Sequence, residues 1–288
     1  MISNGQATAI MHGAISIVNA VATGKGSALG ISLKVTAEVE LTSGRGVRFL
    51  QGNNRSRLIN YVVHNTMPKE IIETKLITIK VSSDIPAGYG LKSSSAVSNA
   101  VALACSKLAK QDSIDDHEIV EAAVRASLDA KVSFTGAYDD ATACYFGGFT
   151  VTDNTSRTLL RTEKAPEGLN AVIFLPRSVA RGDVRKLTKL SDIFMDAFRL
   201  AEAGRYWKAM KLNGVLASAA LSSRYTPVMA ALENGALSAS ISGNGPSIAA
   251  LAYESEVEAI RLALSKYEGQ TIVSKVNNQK ASVNIING

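Results

Sequence analysis

The chain has 288 residues, 46% apolar and 19% charged, the composition of a globular protein with core enough for one large domain or two of ordinary size. Its 31 basic and 25 acidic residues leave a formal charge of +6, but the densest basic patches, Arg48 to Arg57 and Arg177 to Lys186, lack the interleaved aromatics of a single-strand nucleic-acid platform. Two cysteines, Cys105 and Cys144, are too few for a structural zinc site, and neither a secretory signal nor a long apolar run is visible, so the expectation is a soluble, cytoplasmic protein with reduced thiols and no membrane partner.

In chain order, "GQATAIMHGAISIVNAV" alternates small and apolar residues and predicts strand, turn, strand. Ser27 to Leu41 alternates with period two, with Ile31, Leu33, Val35, Ala37, Val39 and Leu41 on one face, and predicts a half-buried strand. "SRLINYVVHNTM" predicts a helix, and "LITIKVSSDIP" a strand that stops at Pro86. From Ser95 to Lys110, Val97, Val101, Ala104 and Leu108 fall at helical spacing, and Ala96, Ala100 and Ala102 allow close neighbours. A capping box from Ser113 to Asp116 opens the next helix. Asn170 to Pro176 predicts a short buried strand, followed by helices over Asp192–Glu202 and Tyr206–Leu221. "PVMAALENG" predicts a short helix capped at Asn234-Gly235. "ALSASISGNGPSIAALAY" reads as strand, glycine turn, strand, and a helix over Ser255 to Tyr267 precedes two closing strands. Hairpins mixed with helical connections predict an α+β fold, with the polar stretch Asp153 to Gly168 dividing it into residues 1–160 and 161–288.

Three stretches suggest chemistry. The chain has no G-x-x-x-x-G-K-[ST] loop, and "GKGSALG" is followed by a strand pattern where a dinucleotide fingerprint needs a helix. "SDIPAGYGLKSSSAVSNAVALA" differs: Gly88 and Gly90 permit close backbone approach, Lys92 adds charge, and Ser93, Ser94 and Ser95 put hydroxyls at a helix mouth. The free N–H groups and partial positive charge of a helix N-terminus make this an anion site, although a simple capped loop would read the same way. "TGAYDDATACYFGG" sets paired acids, Asp139 and Asp140, among uncharged residues bracketed by glycines. "SGNGPSIAAL" places a tight turn between strands.

Together and in this order, the three resemble the family of galactokinase, homoserine kinase, mevalonate kinase and phosphomevalonate kinase, the GHMP kinases. "PAGYGLKSSSA" matches that family's central motif at Pro86, Gly90, Leu91, Ser93, Ser94 and Ala96. The departures are Lys92 where the family usually has glycine, an N-terminal region "HGAISIVNAVATGKGSALGISLKV" without Pro-Gly-Arg, and a final turn short of glycines. These features look like the archaeal-type shikimate kinase branch, with homoserine- or mevalonate-type kinases as the alternative and a basic RNA-binding module as the non-enzymatic one.

The resemblance implies a two-domain fold, an N-terminal domain like domain 2 of ribosomal protein S5 and a ferredoxin-like C-terminal domain. It implies ATP with its phosphates in the loop Pro86, Ala87, Gly88, Tyr89, Gly90, Leu91, Lys92, Ser93, Ser94, Ser95 and Ala96. Shikimate would be the phosphoryl acceptor and Mg2+ the metal, held by Ser94 and Asp129, the latter otherwise a solvated acid at a helix end. Asp139 is the first choice for the acid beside the acceptor hydroxyl, and Asp140 stays open. Lys25 is a candidate to lower the hydroxyl pKa, or an exposed loop lysine. For the acceptor, Arg177 and Arg181 offer a fork for its carboxylate, and Asn19, Thr23, Ser242, Gly243 and Asn244 offer polar partners.

Overall fold

The computed structural model describes residues 4–50, 56–110, 115–133, 135–178 and 182–287. Its first sheet grows from two long antiparallel strands, β1 (Gly5–Val18) and β2 (Lys25–Ser43). In β2, Val35, Ala37, Val39 and Leu41 are buried while Lys34 and Glu40 face solvent, the period-two pattern of a half-buried strand. β1 is one continuous strand where the sequence predicts strand, turn, strand. A register shift between His12 and Gly13 takes up the irregularity, so pairing with β2 continues on both sides of it.

β2 is long enough to serve two partners. Its Val35–Ser43 part pairs with β4 (Lys75–Ser83), and its Lys25–Leu29 part pairs with β5 (Phe149–Asp153). β3 (Gly46–Phe49) lies parallel to β4, β6 (Thr158–Glu163) pairs with β5, and β11 (Ser282–Asn287) pairs with β1, completing a seven-stranded sheet.

The helices of this half are α1 (Ser56–Thr66), α2 (Lys69–Thr74), α3 (Ser93–Lys110), α4 (Asp116–Asp129) and α5 (Tyr138–Phe146). α3 packs on β1 and β2 and also touches α1, α4 and α5. Ala96, Val97, Ala100, Val101, Ala102 and Ala104 are all fully buried, and such small side chains let one helix be surrounded on several sides. The capping box predicted from Ser113 lies outside the described residues at its first position. α4 is capped by Asp115, whose carboxylate accepts the His117 N–H at 2.8 Å.

The second sheet has the order β10-β7-β9-β8, antiparallel throughout, from β7 (Leu169–Pro176), β8 (Ser238–Ile241), β9 (Ile248–Tyr253) and β10 (Gly269–Lys275). A 3-10 helix (Val184–Leu190), α6 (Ser191–Glu202), α7 (Tyr206–Leu221) and α8 (Thr226–Glu233) connect β7 to β8, and α9 (Glu254–Leu264) connects β9 to β10. Strand, helices, hairpin, helix, strand in this order is the ferredoxin-like arrangement. The chain leaves the first sheet after β6 and returns to it in β11. The halves join where the Asn277 N–H donates to the Gly30 carbonyl at 3.0 Å and where Tyr206 stacks on Phe149 with ring centroids 3.9 Å apart. No helix among the described residues is long and apolar enough to cross a membrane.

Candidate active site

The turn-rich segment between β4 and α3 reaches the C-terminal half. Gly90 has φ +78°, and a β-carbon there would lie 2.1 Å from the Ser242 carbonyl oxygen, so only glycine lets the loop seat on the turn between β8 and β9. The Ser247 hydroxyl donates to the Tyr89 carbonyl at 2.6 Å, and the Ser242 hydroxyl to the Gly90 carbonyl at 2.9 Å. Lys92 also has positive φ, +63°, and its carbonyl accepts the Ala96 N–H at 2.9 Å, which starts α3. Ser93, Ser94 and Ser95 form the first helical turn, with Ser94 exposed and its neighbours buried.

This helix mouth opens on a cavity of about 410 Å³. Pro86, Gly88 and Gly90 to Ser95 line it, together with Asp139, Asp140, Ser16, Asn19, Gly243 and Asn244. All three motifs read from the sequence therefore meet in one place. The acids belong to the first turn of α5, whose entry is turned by Gly136 at φ +74° and Ala137 at φ +54°. Two helix N-termini thus contribute to one cavity, and their dipoles favour anions there.

Asp139 is 4% exposed. Asn154 Nδ2 donates to its Oδ1 at 2.7 Å, while Asn154 Oδ1 accepts the Asp139 N–H at 3.1 Å and the Thr152 hydroxyl at 2.8 Å. Gly26 of β2 leaves room for the other oxygen, since a β-carbon there would come within 2.7 Å of Oδ2. Burial first, and the charge of Asp140 second, push the Asp139 pKa up to about 7, against the opposing pull of Lys92 and of the Asn154 hydrogen bond. Lys92 Nζ lies 2.7 Å from Asp140 Oδ1 in an ion pair and donates to the Ser16 hydroxyl at 2.8 Å. Burial alone would lower the lysine pKa, but the two carboxylates together outweigh it and raise the value.

Other predicted residues take different places. Lys25 reaches away to Asp153 at 3.1 Å, sits 5.5 Å above the Phe198 ring and does not line the cavity. The Thr23 hydroxyl bonds the Lys25 backbone. Asp129 is exposed at the end of α4, outside the cavity lining, and no group of three or more His, Cys, Asp or Glu among the described residues is placed to hold a metal. Arg177 is exposed at the end of β7, Arg181 lies outside the described residues, and Gly182 lines the cavity. Ala87, Tyr89 and Ala96 shape the loop and the helix start without lining the cavity, and Ser242 acts as a brace from beneath. Asn19 donates to the Gly243 carbonyl and to Asn244 Oδ1, both at 2.9 Å, pinning the C-terminal turn to the end of β1.

Two partners escaped the sequence reading. Ser16 is a lone hydroxyl between Ile15 and Ile17, a legible sign of a buried polar contact in a strand. Asn154 follows Asp153 in what reads as an ordinary turn, and nothing local marks it as the partner of Asp139.

The GHMP kinases N terminal domain family matches residues 57–148, and the GHMP kinases C terminal family matches residues 197–269. The homoserine kinase of Cytophaga hutchinsonii superposes with a TM-score of 0.75 at 20% identity, covering 99% of this chain and 98% of that one, which shows the shared two-domain fold. A shikimate kinase of Methanocella arvoryzae is 41% identical over 275 residues, covering 94% of this chain and 93% of that protein. A shikimate kinase of Methanothermobacter thermautotrophicus is 37% identical, covering 94% and 96%. The chain belongs to the GHMP kinase family, and within it groups with the archaeal shikimate kinases.

Proposed function

We propose that the chain transfers the terminal phosphoryl group of ATP to the 3-hydroxyl of shikimate, giving shikimate 3-phosphate and ADP in the cytoplasm. The observation that carries this reading is a buried carboxyl of raised pKa sharing one cavity with the mouth of α3, in a chain so similar to shikimate kinases. Residues 1–160 supply the nucleotide loop and the acids, and residues 161–288 supply the turn that closes the acceptor side.

Phosphoryl transfer asks the protein chiefly for positioning and charge stabilisation. The loop from Pro86 to Ala96 receives the triphosphate at the N-terminus of α3. The acceptor lies toward Asn19, Gly243 and Asn244. Asp139, titrating near neutrality, accepts the proton from the attacking hydroxyl as the oxygen–phosphorus bond forms and ADP leaves. Arg181, outside the described residues, is the proposed partner of the acceptor carboxylate, because a guanidinium pairs with a carboxylate through two parallel hydrogen bonds. Mg2+ binds largely through waters and substrate phosphate oxygens, so it would ask few ligands of the protein. The exposed Ser94 hydroxyl fits that role, whereas Asp129 stands outside the cavity lining. When bound, the ion would neutralise charge on the phosphates.

A coupled assay for ADP with shikimate, homoserine and mevalonate at matched concentrations tests the acceptor, and phosphorus NMR of the product identifies the phosphorylated hydroxyl. A site built to bond ring hydroxyls discriminates against acceptors lacking them by up to roughly four orders of magnitude. A larger kcat/KM for homoserine or mevalonate than for shikimate would overturn the assignment while leaving the kinase class intact.

A further inference from the structure

Two adjacent aspartates face one cavity, and their surroundings are not alike. Asp139 is tied to the neutral amide of Asn154, while Asp140 is tied to a buried ammonium. That ammonium reaches its place at a conformational cost, because Lys92 holds a left-handed backbone that a residue with a β-carbon rarely adopts. Its nitrogen touches Asp140 at 2.7 Å and the Ser16 hydroxyl at 2.8 Å. Ser16 Oγ also accepts the Gly243 N–H at 2.9 Å, and the Ser16 N–H donates to Ser242 Oγ at 3.2 Å. One side chain therefore connects the nucleotide loop, the acid pair, β1 and the C-terminal turn. Among the described residues it is also the one cation lining the cavity.

We propose that Lys92 is a positioning residue that makes the two aspartates unequal: its ammonium commits Asp140 to a fixed ion pair and leaves Asp139 as the proton acceptor. The inference rests on the kinase reading above. A buried carboxylate whose counter-ion is removed is left uncompensated, whereas removing both charges together leaves no such debt. Lys92 thus acts through Asp140, and the two substitutions should rescue one another.

The experiment is a double-mutant cycle with Lys92→Met, Asp140→Asn and the pair, each checked for folding by thermal melting. Activity is read as ADP formation with whichever acceptor of the shikimate, homoserine and mevalonate panel the parent takes. Lys92→Met should lower kcat by about a hundredfold, with KM for ATP changed less than about threefold, and the double variant should recover at least about tenfold. The pH profile gives a second readout. Asp139 is faced by Asp140 and Cys144 on its own helix, Lys92 from the loop and Asn154 from the segment after β5. Lys92→Met should move the acid limb of kcat/KM to higher pH, and adding Asp140→Asn should bring it back.

A rise in KM for ATP at constant kcat would make Lys92 a phosphate ligand and overturn the proposal. So would a double variant no better than Lys92→Met, or an unmoved pH limb. If Lys92→Met fails to fold, a folded double variant retaining kcat within about tenfold of Asp140→Asn supports the proposal, and a folded double variant without activity overturns it. A parent that turns over none of the acceptors instead removes the shikimate kinase reading on which the inference rests.

Discussion

Two cavities among the described residues are similar in polarity and differ in what the surrounding structure holds there. A second cleft, about 490 Å³, is lined by His12, Glu167, Asn170, Glu254, Lys275, Asn277, Asn278 and Gln279, and looks as polar as the first. Its three asparagine amides are spent on the protein itself. Asn278 bonds both the N–H and the carbonyl of Ala165, at 2.8 and 2.9 Å, Asn277 bonds Gln279 twice, and Asn170 bonds Glu254 and Gly168. His12 Nδ1 is buried without a hydrogen-bond partner, and burial first, then Lys34, hold that ring toward its neutral form. The first cavity instead gathers two helix mouths, a lysine in left-handed backbone and a carboxyl pushed up to about 7. Volume and polarity do not separate the two; cost does. Backbone strain and buried charge persist only where something offsets them.

The contrast is sharpened most by Asp139→Asn. Losing a positioned proton acceptor should reduce kcat by roughly two to four orders of magnitude with little change in KM, measured by steady-state kinetics. An Asn variant with parental turnover would transfer the role to Asp140 or abolish it. Gly90→Val comes next. Its β-carbon would collide with the Ser242 carbonyl, so the loop must lift off the C-terminal turn. ATP affinity by calorimetry should fall at least about tenfold, a loss of roughly 1.4 kcal/mol or more. ATP binding like the parent's would show that the nucleotide site lies elsewhere.

Asn154→Ala should lower kcat about tenfold by loosening Asp139. It should also move the acid limb of kcat/KM to higher pH, because the Asn154 hydrogen bond is one of the influences holding that pKa down. A limb that stays in place would detach Asn154 from the chemistry. Stability reports the same carboxyl by another route. In the unfolded chain Asp139 ionises near the ordinary value of about 3.9, and in the fold near 7. Between those pH values the folded state holds the extra proton, so rising pH erodes stability across that window. Asp139→Asn removes this penalty, and its melting temperature relative to the parent should climb from about pH 4 to 7 and level off above. A pH-independent difference would mean that the buried carboxyl does not titrate there.

Much of this was legible in the sequence wherever the signal was local. The alternation of Val35 to Leu41, the glycines and serines ahead of α3, and the bracketed acids each carry their own reason for being there. What stayed hidden depends on long-range closure. Lys92 reads as a cation for phosphate, and only the approach of α5 and β1 gives it Asp140 and Ser16. Lys25 reads as available until β5 pairs with β2 and brings Asp153 to it. Asp129 is a metal candidate only through the family resemblance, and the end of α4 leaves it in solvent. Asn154 carries no signal because its neighbour Asp153 accounts for the turn, accepting the Thr155 and Ser156 N–H groups.

The smallest expected effect sharpens the comparison from the other side. Asn278→Ala removes two hydrogen bonds to Ala165, one donated and one accepted, and leaves two partly buried backbone groups to find water. That should cost about 1–3 kcal/mol of stability, visible in denaturant unfolding. The two cavities share no lining residue, so substitutions in one should leave the other's energetics alone, and kcat/KM should stay within about twofold of the parent. A variant destabilised as expected but equally active assigns the second cleft's amides to holding the junction between the sheets. If Asn278→Ala instead depresses kcat/KM tenfold or more while still folded, the second cleft is coupled to turnover, and cost would no longer separate the two cavities.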